Sequence, residues 1–282
     1  MRAMLRSLAA LALIVSGSVS AQSPAWPPVG EATGARIVGR WLWADLVTSD
    51  VARSSEFYAK VFGWTFRNVP GAEGAPGYVT ILANGRPIGG IVPKPPGVSG
   101  ARWIELASGD PQAAAKRAEQ LGGTIVAAPR MLPGRGELVV LGDPTGARFA
   151  VLRADGGDPP DQTGLEGEWM WTELWTPDPE RAVEFYRGVL GYSVVSDSKG
   201  KDAFVLTADG RARAGVMRSP DASLPAAWIP YVRVSDVAKT VARAQEAGAR
   251  VIVAPRPHHK SQVAVLVDPL GAPFAVAQWR AK

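Results

Sequence analysis

Cysteine is missing from the 282-residue chain. That excludes a disulfide framework, a cysteine nucleophile, a thiolate metal site and a lipoprotein anchor. Histidine is nearly missing: His258 and His259 are the two present. Metal or acid–base chemistry would therefore rest mainly on carboxylates. Charge of one sign is also scarce. The formal net charge is +5, and no Lys/Arg run occurs. Two of those charges, Arg2 and Arg6, fall in a segment read below as cleavable, leaving 29 basic against 26 acidic residues. This is an ordinary solvated balance, and no nucleic-acid partner is expected. No apolar run reaches the roughly 18 residues that a membrane-spanning helix requires.

What is present begins with an export pattern. Arg2 and Arg6 precede the apolar run Leu8 to Val15, and Val19-Ser20-Ala21 suits cleavage before Gln22. Residues 1–21 are thus expected to be a signal peptide. The mature protein is expected in the periplasm or outside the cell, with no membrane association after cleavage. Residues 22–39 are Pro-rich and expected to form a loose lead-in.

The rest of the chain repeats itself. Trp41-Leu-Trp-Ala-Asp-Leu, Asp50, Glu56-Phe57-Tyr58 and Phe62-Gly63-Trp64 recur as Trp169-Met-Trp-Thr-Glu-Leu, Asp178, Glu184-Phe185-Tyr186 and Leu190-Gly191-Tyr192, at an offset of 128. Asp143-Pro-Thr-Gly matches Asp268-Pro-Leu-Gly at an offset of 125. The copies span 40–153 and 168–281, with a Gly-, Pro- and Asp-rich linker over 154–167. Each copy divides again. Asp50, Asp110, Asp178 and Asp236 suit helix N-caps, Pro111 and Pro179 the first helical turn, and Gly63, Gly122, Gly191 and Gly248 the left-handed stop. Asn84-Gly85 and Asp209-Gly210 read as hairpin turns. The expected unit is strand, helix, strands, four times over, which makes an α+β fold.

Alternation along the strands assigns faces. Leu42, Ala44 and Leu46 should face a helix, with Trp41, Trp43, Asp45 and Val47 opposite. In the second copy Met170, Thr172 and Leu174 face the helix, while Trp169, Trp171, Glu173 and Trp175 face away. Likewise Ile104 and Leu106 are expected on the helix side, and Trp103 and Glu105 on the other. A sheet face bearing tryptophans and acids suits the lining of a concave cavity. Trp64 and Tyr192, after helix stops, read as core.

Paired strand–helix–three-strand units, Phe-Tyr in the helix, Gly-Trp or Gly-Tyr after it and Asp-Pro-x-Gly near the end resemble the vicinal oxygen chelate superfamily, which includes glyoxalase I, bleomycin-resistance proteins and extradiol dioxygenases. The resemblance covers about 40–281. It implies a tandem of glyoxalase-like domains, each curling two βαβββ modules into a cup with helices on the outer face. Metal-dependent members place His, Gln or Glu on inward-facing strands. Those positions fall here on Trp43, Trp103, Ala150 and near Gly90 in the first copy. In the second they fall on Trp171, near Ile229, on Ala275 and near Gly215. None of these side chains ligates a divalent ion. No cofactor is therefore expected, and a divalent metal would need a displaced site.

Three readings remain open. The leading one is metal-free binding of a small apolar or aromatic molecule. Its candidate contacts are Trp43, Asp45, Trp103, Glu105, Arg148, Trp171, Glu173 and Trp175. Arg148 shares a strand face with Ala150 and either pairs with an acid or meets the ligand. The second reading is a lyase or dioxygenase with a displaced metal, for which Glu173 and Glu105 are the catalytic candidates. The third is a scaffold whose cups are plugged by side chains. His258 and His259 suit a surface loop or the mouth of the second cup. A monomer is expected, because the tandem copies do within one chain what pairing of chains would do.

Overall fold

The computed structural model describes residues 26–70, 77–94, 100–161, 164–196, 202–221, 224–258 and 261–278. Residues 1–21, expected to be a signal peptide, lie outside them. The first module comprises β1 (Trp41–Thr48), α1 (Val51–Phe62), β2 (Thr65–Val69), β3 (Tyr78–Ala83) and β4 (Arg86–Pro93). The second comprises β5 (Arg102–Ser108), α2 (Pro111–Gln120), β6 (Thr124–Leu132), β7 (Gly136–Gly142) and β8 (Arg148–Ala154). The third comprises β9 (Trp169–Thr176), α3 (Pro179–Leu190), β10 (Ser193–Ser196), β11 (Ala203–Ala208) and β12 (Arg211–Arg218). The fourth comprises β13 (Ala227–Arg233), α4 (Val237–Glu246), β14 (Arg250–His258), β15 (Ser261–Val267) and β16 (Pro273–Gln278).

The helix signals act as their chemistry dictates. Asp50, Asp110, Asp178 and Asp236 each accept a hydrogen bond from a backbone N–H three residues on. Gly63 and Gly191 close α1 and α3 in the left-handed conformation. Asn84-Gly85 and Asp209-Gly210 have positive φ at both residues, as the tightest hairpin turn requires.

Each pair of modules forms one eight-stranded mixed sheet, ordered β2-β3-β4-β1-β5-β8-β7-β6 and β10-β11-β12-β9-β13-β16-β15-β14. The first strands of the two modules pair antiparallel at the centre, β1 with β5 and β9 with β13. One face of each sheet forms a cup, and the other carries the helices. The helix-bearing faces of the two domains cover each other crosswise. Phe57, Tyr58 and Trp64 of the first module share a core with Val237, Val241 and Phe274 of the fourth. Phe149 and Leu141 of the second module share one with Phe185 and Tyr186 of the third and Trp228 of the fourth. Removing each such side chain from water contributes about 1.5–3 kcal/mol.

Polar contacts pin this seam. The Tyr58 hydroxyl donates to Asp268, 3.1 Å, and the Tyr186 hydroxyl to Asp143, 3.0 Å. Both acids open an Asp-Pro-x-Gly turn. Their other oxygen accepts backbone N–H groups of the same turn. Burial pushes both carboxyl groups up, against hydrogen bonds that pull them down.

The lead-in is not loose. From Trp26 on it lies against the first domain and the linker. Trp26 donates its backbone N–H to Pro133, and Asp158 accepts from Ile37 N at 2.7 Å and from the Ser108 hydroxyl at 2.8 Å. Proline stiffens the segment, and Asp158 supplies the anchor that composition does not reveal. Tyr186→Phe should lower stability by about 1–3 kcal/mol, because it leaves a buried carboxylate short of a donor and strips Trp228 Nε1 of its acceptor. Urea titration checks this; no shift in the midpoint would refute the pinning role.

Candidate functional site

Register decides which side chains face each cup. In the first sheet Asp45 pairs with Ile104 and Trp43 with Leu106, so Ile104 and Leu106 face the cup beside them. Leu46 pairs with Trp103 and Ala44 with Glu105, which places Trp103 and Glu105 on the helix side. This reverses the face expected for β5. The strand is buried on both faces, so its residue pattern carries no phase. Trp103 packs on Tyr58 and on Trp169 of the other domain, with ring centroids at 5.4 and 5.1 Å. Glu105, 4% exposed, accepts from the Thr172 hydroxyl of the second domain at 2.7 Å. Burial pushes its carboxyl up to about 8.

Two bulges make a second correction. The register shifts between Trp41 and Trp43 on β1, and between Tyr231 and Val232 where β13 meets β9. Trp41 is turned to the helix side, 4.5 Å from the Trp228 ring, and Trp169 packs on Trp64 and Trp103. Leu42 and Met170 pack instead against the cup-side clusters. Bulges re-aim side chains in a way that strict alternation cannot foresee.

The first cup is filled. Asp45, 8% exposed, accepts from Trp43 Nε1 at 2.9 Å and from the Tyr78 hydroxyl at 2.6 Å through Oδ1, and from Arg135 Nη1 at 3.1 Å through Oδ2. Arg135, 1% exposed, also donates to Tyr78 and to the Pro27 carbonyl. Its guanidinium lies 5.3 Å from the Trp26 and Trp43 rings and 4.8 Å from that of Tyr78. Gly90 permits this: a Cβ there would stand 1.7 Å from the Tyr78 hydroxyl. Sequence reasoning missed Arg135, Tyr78 and Trp26. The available signal was Gly134-Arg135-Gly136, an arginine between two glycines of positive φ. Arg148 does not partner an acid in the first cup: among the described residues it forms no ion pair, since Arg135 already occupies Asp45.

The second cup differs. Glu173 sits where Asp45 does, 128 residues on. Its Oε2 accepts from Trp175 Nε1 at 2.9 Å and from the Tyr231 hydroxyl at 2.7 Å. Among the described residues nothing donates to Oε1, which rests against Gly215, and no cation pairs with the group. Glu173, Trp171 and Met217 are half-buried, over a floor of Trp175, Ile229, Tyr231 and Ala275. The sequence thus placed Trp43, Asp45, Trp171, Glu173 and Trp175 on cup faces as found. The side chains of His258 and His259 lie outside the described residues.

The residues described do not fit the divalent ion that the fold's metal-dependent members hold. No group of three His, Cys, Asp or Glu lies together among them. Asp45 has both oxygens engaged by donors. The positions beside Glu173 are Ile229 and Gly215, and Ala275 lies beside Tyr231 on the next strand.

A family model described as "Glyoxalase-like domain" matches residues 41–152 and 171–277. The chain belongs to this family, and with it to the vicinal oxygen chelate superfamily. CFP32 of Mycobacterium tuberculosis, named as a candidate glyoxylase, is 31% identical over 241 residues, covering 83% of this chain and 92% of that protein. The anthracycline biosynthesis protein DauV of Streptomyces sp. (strain C5) is 33% identical over 255 residues, covering 84% and 92%. Among solved structures, the Mn(II)-bound glyoxalase of Novosphingobium aromaticivorans superposes with a TM-score of 0.59 at 17% identity, covering 86% and 83%. The 2,3-dioxygenase LapB of Pseudomonas sp. KL28 gives 0.58 at 15%, covering 88% and 94%. At such identities these two structures speak for the glyoxalase-like fold alone.

Arg135→Ala should cost about 3–5 kcal/mol of stability by stranding Asp45 in the first cup, and much less in an Asp45→Asn background. A double-mutant cycle by denaturant unfolding checks this; additive losses would contradict a closed Arg135–Asp45 plug.

Proposed function

We propose that the protein binds a small apolar or aromatic molecule in the cup of its second domain, without a metal ion. The observation that carries this reading is Glu173. It is a half-buried carboxylate whose one oxygen is fixed by Trp175 and Tyr231, while the other has no donor among the described residues. Flat, polarisable walls suit a ring, and Trp171 and Met217 supply them. A carboxylate beside them orients a hydroxyl or counters a cationic group. The same oxygen makes Glu173 the group placed to take a proton from a bound molecule, should the cup also do chemistry.

The names of two relatives, both called anthracycline biosynthesis proteins, lend support to an aromatic ligand. The contrast within the chain supports the choice of cup, because Asp45 carries the Arg135 cation that Glu173 lacks among the described residues. The pattern of residues 1–21 supports placing this binding in the periplasm or outside the cell.

A tryptophan-fluorescence and thermal-shift screen with aromatic amines and phenols tests the proposal. Saturable quenching is expected, with affinity for amines falling about tenfold, or roughly 1.4 kcal/mol, in Glu173→Gln. No saturable ligand, or affinities untouched by Glu173→Gln, would overturn it.

A further inference from the structure

A cavity of about 630 Å³ lies between the two domains, apart from the floor of either cup. It is of a size that holds small organic ligands. The starts of β1 and β9 line it, and the two bulges bring Trp41 and Trp169 to its wall. Val29, Gly30 and Glu31 of the lead-in line it as well, which gives the fixed placement of that segment a consequence.

Two features of this cavity call for an acceptor of negative charge. The first is a pair of donors. Arg213 has a side chain only 7% exposed. It spends Nη1 on Asp161 and Nε on the Ala208 carbonyl, while Nη2 is buried with no partner among the described residues. Trp41 Nε1 is likewise buried with no partner among them. Buried N–H groups without acceptors are costly and rare, and both of these belong to side chains lining one cavity. The second feature is charge. Arg40, Arg211 and Arg213 all pair with the single carboxylate of Asp161. The Glu168 charge is already matched by Arg86. Glu31 lines the cavity too, so Arg40, Arg86, Arg211 and Arg213 stand against Glu31, Asp161 and Glu168, while burial holds Glu105 toward its neutral form.

We propose that the interdomain cavity binds an anionic aromatic molecule, of the aromatic carboxylate class, with its ring among the tryptophans and its oxygens on Arg213 and Trp41. This site shares Trp171 with the wall of the second cup but includes neither Glu173 nor the floor of that cup, and it has the opposite charge preference. Stacking on indole rings supplies apolar contact. With Nη1 and Nε engaged, Arg213 offers Nη2 alone, a charge-assisted donor to one carboxylate oxygen.

Titration of the full mature chain with 2-naphthoate, followed by tryptophan fluorescence, tests this, with 2-naphthylmethanol as the uncharged counterpart. Saturable quenching by the carboxylate is expected, with the alcohol at least tenfold weaker. Arg213→Met should weaken 2-naphthoate at least tenfold. Ala212→Phe, which keeps every charge and places a ring in the cavity, should weaken both probes. Glu173→Gln should leave 2-naphthoate binding unchanged, so failure of this site and failure of the second cup are told apart. Thermal unfolding of each variant verifies that it folds. Absence of saturable 2-naphthoate binding would overturn the proposal, as would binding insensitive to both Arg213→Met and Ala212→Phe, or binding lost in Glu173→Gln.

Discussion

The helix-bearing faces of the two domains are packed against each other. Tyr58 reaches across to Asp268, and Tyr186 to Asp143, so an acid at the tightest turn of one repeat is satisfied by a hydroxyl from a helix of the other. Buried carboxyl groups without such donors would be strongly unfavourable. The motifs that mark the repeat, Phe-Tyr in the helix and Asp-Pro-x-Gly before the last strand, are thus two halves of one interdomain contact. With the helical faces committed to the seam, both cups face outward, and the seam must accept whatever else the strands bring there. Glu105 meets Thr172 and Trp103 meets Trp169 for this reason.

The two cups then diverge from the same starting plan. In each, an indole N–H two residues away and a tyrosine hydroxyl grip the acid on the opening strand. In the first cup Arg135 enters between Trp26, Trp43 and Tyr78 and neutralises Asp45. This buried pair holds the lead-in and the β6–β7 turn against the cup. In the second, Glu173 keeps an oxygen without a donor among the described residues. The two copies thus keep one fold while the acid on the opening strand is neutralised in the first cup alone among the described residues.

Much of this was legible in the residues. Helix caps, helix stops and hairpin turns are local chemistry, and the sequence placed them at the right residues. The duplication was visible as repeated motifs, and the cup-facing positions of Trp43, Asp45, Trp171 and Glu173 followed from alternation. Trp103 and Glu105 were misplaced because β5 is buried on both faces, so either phase satisfies its pattern. Trp41 and Trp169 were misplaced because a bulge shifts phase without leaving a mark in composition. Arg135 and Trp26 were missed because their partners lie far off in sequence: Arg135 is 90 residues from Asp45. An arginine between glycines reads as an exposed turn until the cup beneath it is known.

Among the described residues neither cup presents a set of groups fit to hold the metal ion that the fold holds elsewhere. Metal analysis of the mature, tag-free protein tests it most directly, after incubation with nickel, zinc, manganese and ferrous iron followed by desalting. No ion should approach one equivalent per chain. Near-stoichiometric retention of any of the four would contradict it and return the second domain to metal-assisted chemistry.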